Sequence, residues 1–115
     1  METNNYLEQI YENLCAGKNY NSGTRCAVGN YRTTLRCAAD EYIVRENPHR
    51  IDIEDFVSTL RSAGITSIIV TDDSHGVIED LHRFADYGCT IDELIRIKIT
   101  DDFGPHYLGG IRLKL

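Results

Sequence analysis

Three arginines, Arg25, Arg32 and Arg36, stand seven and four residues apart. On a helix that spacing places all three in one narrow arc. Gly29 falls on the same arc and leaves a gap between them. Guanidiniums around such a gap form a fork-shaped donor set for phosphate or carboxylate. The preceding turn-rich loop, Gly17–Gly23, adds Lys18, Asn19 and Tyr20 as further donors. Together these residues predict a site for a phosphorylated nucleotide. The plainer reading is a solvated helix face, with Arg36 pairing to Asp40 four residues on. Gly29 favours close packing or a ligand, because glycine inside a helix costs about 1 kcal/mol against alanine.

Asp72 and Asp73 directly follow the apolar run Ile65–Val70. Ligands of open α/β sheets bind beyond the carboxyl ends of strands, and paired acids there can hold Mg²⁺. No lysine or glycine-rich phosphate loop accompanies them, so capping the next helix is the simpler role. His75, Glu79 and His82 share one helix face. The two histidines would lie about 10 Å apart, too far to hold one ion. The chain carries no nucleophile elbow, no H-E-x-x-H and no glycosidase-like acid pair. The expectation is therefore a non-enzymatic protein with no catalytic residue, no metal and no cofactor.

The elements that must position these groups centre on residues 51–99. Asp52–Ala63 reads as a helix capped by Asp52 and closed by Gly64, with Ile51 and Phe56 as a hydrophobic staple. Ile65–Val70 is β-branched and apolar on both faces, which asks for a central strand. A helix over Ser74–Tyr87 follows, capped by one of Asp72, Asp73 and Ser74. Its apolar stripe is Val77, Ile78, Leu81, Phe84 and Ala85. Leu94–Thr100 alternates, with Ile95, Ile97 and Ile99 inward and Arg96 and Lys98 outward. Strand, helix and strand predict a right-handed parallel βαβ unit.

Two helices precede this unit, one capped by Thr3 and closed by Gly17, the other running from about Thr24 to Glu46. Tyr107–Leu115 forms a last strand, where Gly109 and Gly110 signal a bulge or a close backbone approach. The fold class is α/β (α+β): N-terminal helices, a βαβ unit and a C-terminal strand. It predicts a small three-stranded mixed sheet packed by about four helices. A short loop favours the last two strands as a hairpin, while the apolar strand wants the middle, so two strand orders stand open.

At 115 residues the chain reads as a single domain over 1–115. No apolar run approaches the ~18 residues of a membrane helix, and no cationic, apolar leader is seen, which predicts a cytoplasmic protein. Cys15, Cys26, Cys37 and Cys89 form no C-x-x-C pair, so reduced thiols are expected. The net charge is −6 and is unevenly placed: residues 1–50 hold six acids and six bases, residues 51–115 twelve acids and six bases. That balance disfavours direct nucleic-acid binding and suits a basic protein partner. The expected contact acids are Asp72, Asp73, Glu79, Asp80, Asp86, Asp101 and Asp102.

The stretch Asn19-Tyr-Asn-Ser-Gly-Thr-Arg-Cys-Ala-Val-Gly-Asn-Tyr-Arg32, followed by a compact βαβ, resembles small uncharacterised accessory proteins of bacterial phages and mobile elements. In size and acidity the chain is also similar to the anti-CRISPR class. The resemblance implies inhibition of a larger bacterial protein, such as a nuclease complex, by occlusion of its surface. It transfers no residue roles. A small sheet with one uncovered face or edge further predicts a homodimer.

Overall fold

The computed structural model describes residues 3–45, 51–73 and 76–115. Among these described residues four helices and four strands follow one another: α1 (Asn5–Cys15), α2 (Ser22–Arg36), β1 (Ile43–Val44), α3 (Ile53–Ser62), β2 (Ser67–Thr71), α4 (Val77–Asp86), β3 (Thr90–Asp101) and β4 (Gly104–Lys114). The strands form one mixed sheet in the order β1-β2-β4-β3, with β1 parallel to β2 and the other pairs antiparallel. The α+β class is as expected, with a fourth strand added to the predicted three.

That extra strand comes from the second helix, which stops at Arg36 and does not reach Glu46. Ala38 takes a left-handed conformation (φ +52°), and the amides of Ala38 and Ala39 close the helix on the carbonyls of Leu35 and Thr34. Such a turn usually falls to glycine, so an alanine gives no warning of it. The chain then extends through Tyr42 into β1, where Ile43 and Val44 pair with Ile69 and Val70. Helix α2 seals the outer edge of this strand. The Ile43 amide donates to Thr34 Oγ1 at 3.0 Å and the Arg45 amide to Asn30 Oδ1 at 2.9 Å.

The strand order that sequence left open is resolved by the β3–β4 hairpin. β2 and β3 are parallel to each other, but β4 lies between them; the adjacent parallel pair is β1 and β2, connected through α3. The two-residue turn Asp102-Phe103 sends β4 straight back along β3, as a short loop favours. Gly110 then lets β4 close on β2: a Cβ there would lie 2.8 Å from Ile69 Cγ2 and 2.9 Å from the Val70 carbonyl. Close approach is thus the role of this glycine, while the bulge falls on β3 between Ile91 and Glu93.

Helix ends follow local chemistry, with two corrections. Asn4, not Thr3, caps α1 by accepting the Leu7 amide, and Asp52 caps α3 by accepting the Asp55 amide, as expected. α4 starts at Val77 behind Gly76, with no side-chain cap, so neither Asp72 nor Asp73 caps it. Ser74 and His75 lie outside the described residues.

The main core lies between the helices and one sheet face. Ile68, Val70 and Leu113 meet Leu7, Val28, Tyr31, Phe56, Leu60 and Phe84 there. On the opposite face Ile43, Ile69, Ile97 and Ile99 pack against Cys37 and Ala39 from the turn after α2. Among the described residues no helix is long and apolar enough to cross a membrane.

Candidate functional site

The chemistry-bearing side chains collect where three mutually parallel strands end. Arg45 stands one residue beyond β1, Asp73 two beyond β2, and Asp101 closes β3. Arg45 donates to Asp73 Oδ2 through Nε at 3.0 Å and Nη2 at 2.5 Å, and its Nη1 lies 3.5 Å from Asp101 Oδ2. One guanidinium thus ties two strand ends together. His106, early in β4, adds Nε2 at 3.5 Å from the same Asp101 oxygen.

Electrostatics explain why Asp73 stays ionised. Partial burial opposes its charge, but hydrogen bonds from Arg45 and Thr71 and the Arg45 charge outweigh that, holding the carboxyl below its usual range. The Thr71 hydroxyl donates to Asp73 Oδ1 at 2.6 Å. Burial likewise works against the Arg45 cation, and Asp73 and Cys37 more than compensate, so its pKa is raised.

A cleft of about 340 Å³ opens beside this cluster, lined by Thr33, Arg36, Arg45, Thr100, Asp101 and Phe103 among others. Asp72 and Asp102 are exposed next to the two tied carboxylates. Five of the seven predicted contact acids therefore stand at one end of the sheet, counting Glu79 in the first turn of α4. Two do not. Asp80 is fully buried and cannot contribute to an exposed acidic surface. Asp86 closes the other end of α4, more than ~10 Å away along the helix axis.

The predicted arginine set is not gathered. Arg32 turns back to α1, pairing with Glu8 at 3.1 Å and covering the Tyr11 ring at 4.2 Å. Arg25, Lys18 and Asn19 are exposed, Gly29 is half-buried, and Tyr20 accepts from Asn13 Nδ2 at 2.8 Å. Only Arg36 reaches the cleft, where it also donates to Thr33 Oγ1 at 3.1 Å. Asp40 lies beyond the end of α2, so the expected Arg36–Asp40 helix pair has no helix to form on.

Arg45 and His106 were not singled out by sequence. Arg45 lay inside a predicted helix, so its place at a strand end was hidden. Glu79 and His82 are exposed on α4, and among the described residues no group of three or more potential ligands could hold a metal. All four cysteines carry free thiols, with Cys37 and Cys89 buried.

Fold and site together define a small α+β domain with a charged cluster at the carboxyl ends of its parallel strands. The chain belongs to a family described as a domain of unknown function (DUF7698), whose model matches residues 26–109. That span includes Arg45, Asp73 and Asp101 and leaves out Lys18, Asn19, Tyr20 and Arg25. No curated protein and no solved structure matches the chain.

Proposed function

We propose that this is a non-enzymatic binding protein that docks a larger, basic protein through the acidic carboxyl end of its sheet. The observation carrying this reading is the grouping of exposed Asp72 and Asp102 with Asp73 and Asp101, which Arg45 holds in place. Carboxylates fixed by a rigid sheet present a preorganised negative surface, which needs little ordering on association. The chain's net charge of −6 adds a long-range attraction to basic surfaces. A basic surface of this kind lines the nucleic-acid groove of nucleases and related bacterial machines, and a domain seated there inhibits by exclusion.

The test is affinity capture from a bacterial lysate with wild-type chain and an Asp72→Lys/Asp102→Lys variant as paired baits. A partner identified by mass spectrometry, confirmed with purified protein and lost from the variant, supports the reading. Equal capture by both baits contradicts it.

Arg36 in the same cleft favours a second reading, sequestration of a phosphorylated nucleotide. Asp101 and Asp102 line that cleft too and repel an anion there. Thermal melting with mono-, di- and cyclic nucleotides separates the two. A ligand at a hundredfold its Kd stabilises by about 2.7 kcal/mol, whereas the protein-docking reading predicts no shift.

A further inference from the structure

Gly110 packs β4 onto β2, but its neighbour Gly109 has no such role: a Cβ there meets nothing nearer than Asp72 Cβ at 4.0 Å. Its backbone is not left-handed either. Glycine weakens a strand interior, and one that neither packing nor a turn requires marks a place where a ligand can approach the backbone. Gly109 floors a cleft of about 480 Å³ between the start of α4 and the β3–β4 ladder. The apolar walls of this cleft are Val70, Val77, Leu94 and Ile111. Leu94 is 80 % exposed, so it gains most from a cover.

Two opposite charges flank the bare glycine. The Asp72 amide donates to the Gly109 carbonyl at 2.8 Å, and Arg96 is the partner of Gly109 on β3. Asp72, Gly109 and Arg96 thus form one row across the sheet, and such cross-strand neighbours share a face. Two strand spacings set the outer Cα atoms about 10 Å apart, with no side chain between them. Both charged residues line the cleft. Among the described residues neither has an ion-pair partner, whereas Arg112 and Lys114 on the opposite sheet face are met by Glu41, Glu93 and Asp92.

We propose that this cleft binds a small zwitterion with an apolar body: a free α-amino acid carrying a large aliphatic or aromatic side chain. Its ammonium meets Asp72, its carboxylate takes the Arg96 fork, and its α-carbon lies over Gly109. The apolar side chain then lies between Val77, Leu94 and Ile111. An anion without a cationic group faces Asp72 unpaired, and a cation without an anionic group faces Arg96. A neutral apolar ligand strips water from both charges and returns nothing. A ligand with both charges satisfies both residues. The cleft volume falls in the range of about 300–1,000 Å³ usual for small-molecule sites. Asp72 belongs to the acidic docking end as well, so the test leaves every carboxylate of that end in place.

Amide NMR spectra of the full chain test the site, with L-phenylalanine and L-leucine added to about 10 mM, well above a Kd of about 1 mM. Saturable shifts are expected at Leu94, Arg96, Gly109 and Ile111. N-acetylphenylalanine and phenylalaninamide each lack one charge, and free glycine lacks the apolar body. All three are expected to bind at least about tenfold more weakly. Arg96→Gln should lower affinity about tenfold with unchanged melting, and Gly109→Val, which fills the gap, should abolish binding. Absence of saturable shifts with both amino acids overturns the proposal. So does equal binding of the two blocked forms, or wild-type affinity in Arg96→Gln. The docking reading is tested at Asp72 and Asp102 instead, so the two fail separately.

Discussion

Arg45 grips Asp73 through Nε and Nη2 although twenty-eight residues separate them in the chain. The contact joins the ends of the only two adjacent parallel strands among the described residues, and Asp101 brings the end of β3 to the same guanidinium. The pair is partly exposed, so solvent screens it. A double-mutant cycle with Arg45→Met and Asp73→Asn is expected to give a coupling of about 0.5–1 kcal/mol. A coupling of zero would mean that the ends are held by backbone pairing alone.

Acid should weaken the fold through the same carboxylate. Asp73 titrates near 3.9 in the unfolded chain and lower in the folded one. Between those values the unfolded state binds more protons, so stability falls as pH falls. The Asp73 contribution is complete above its unfolded pKa and is lost through its folded pKa. Urea midpoints measured from neutral pH into this acid range should fall more steeply for wild type than for Asp73→Asn. Parallel profiles would contradict the assigned direction.

Two adjacent glycines should behave differently. At Gly110 a methyl group collides with Ile69 and the Val70 carbonyl, whereas at Gly109 the nearest atom in its way, Asp72 Cβ, is 4.0 Å off. Gly110→Ala is expected to destabilise by about 2 kcal/mol through displacement of β4 from β2. Gly109→Ala should stay within about 0.5 kcal/mol of wild type. Chemical denaturation of the two variants settles the comparison.

Thr34 is the polar group that seals β1. Its buried hydroxyl accepts the Ile43 amide and sits 2.8 Å from the Asn30 carbonyl. Thr34→Val keeps the shape and leaves a buried amide unpaired, at a cost of about 1–2 kcal/mol. Amide exchange at Ile43 should accelerate selectively. Unchanged exchange there would show that α2 does not close this edge.

Elements with paired start and stop signals were readable from sequence. Asp52, the Ile53–Leu60 stripe and Gly64 delimit α3 within a residue or so, and the double-sided apolar run of β2 does occupy an inner strand. The inward set Ile97 and Ile99 is buried as the alternation demands. β1 was lost because helix termination rests on Ala38, which takes glycine's conformation without glycine's signature. The split of β2 from β3 by β4 is one of the two strand orders that sequence left open, because periodicity shows which faces are buried and not which strands are neighbours.

The candidate site divides along the same line. Asp72, Asp73, Asp101 and Asp102 follow strand ends that sequence could locate, so their convergence was half legible. Their organiser, Arg45, follows the strand that was missed. Helical spacing put Arg25, Arg32 and Arg36 on one arc, but spacing is blind to Glu8 and Tyr11 on α1, which capture Arg32. Asp80 fell in a polar run of sequence, yet the helix turns it into the core.

The most direct measurement of the central claim is the association rate of the purified chain with its captured partner, followed against salt concentration. For wild type the rate should fall steeply with ionic strength, and Asp72→Lys/Asp102→Lys should lower it about tenfold at low salt and flatten the dependence. A double variant with wild-type association at every salt concentration would contradict docking through the acidic end of the sheet.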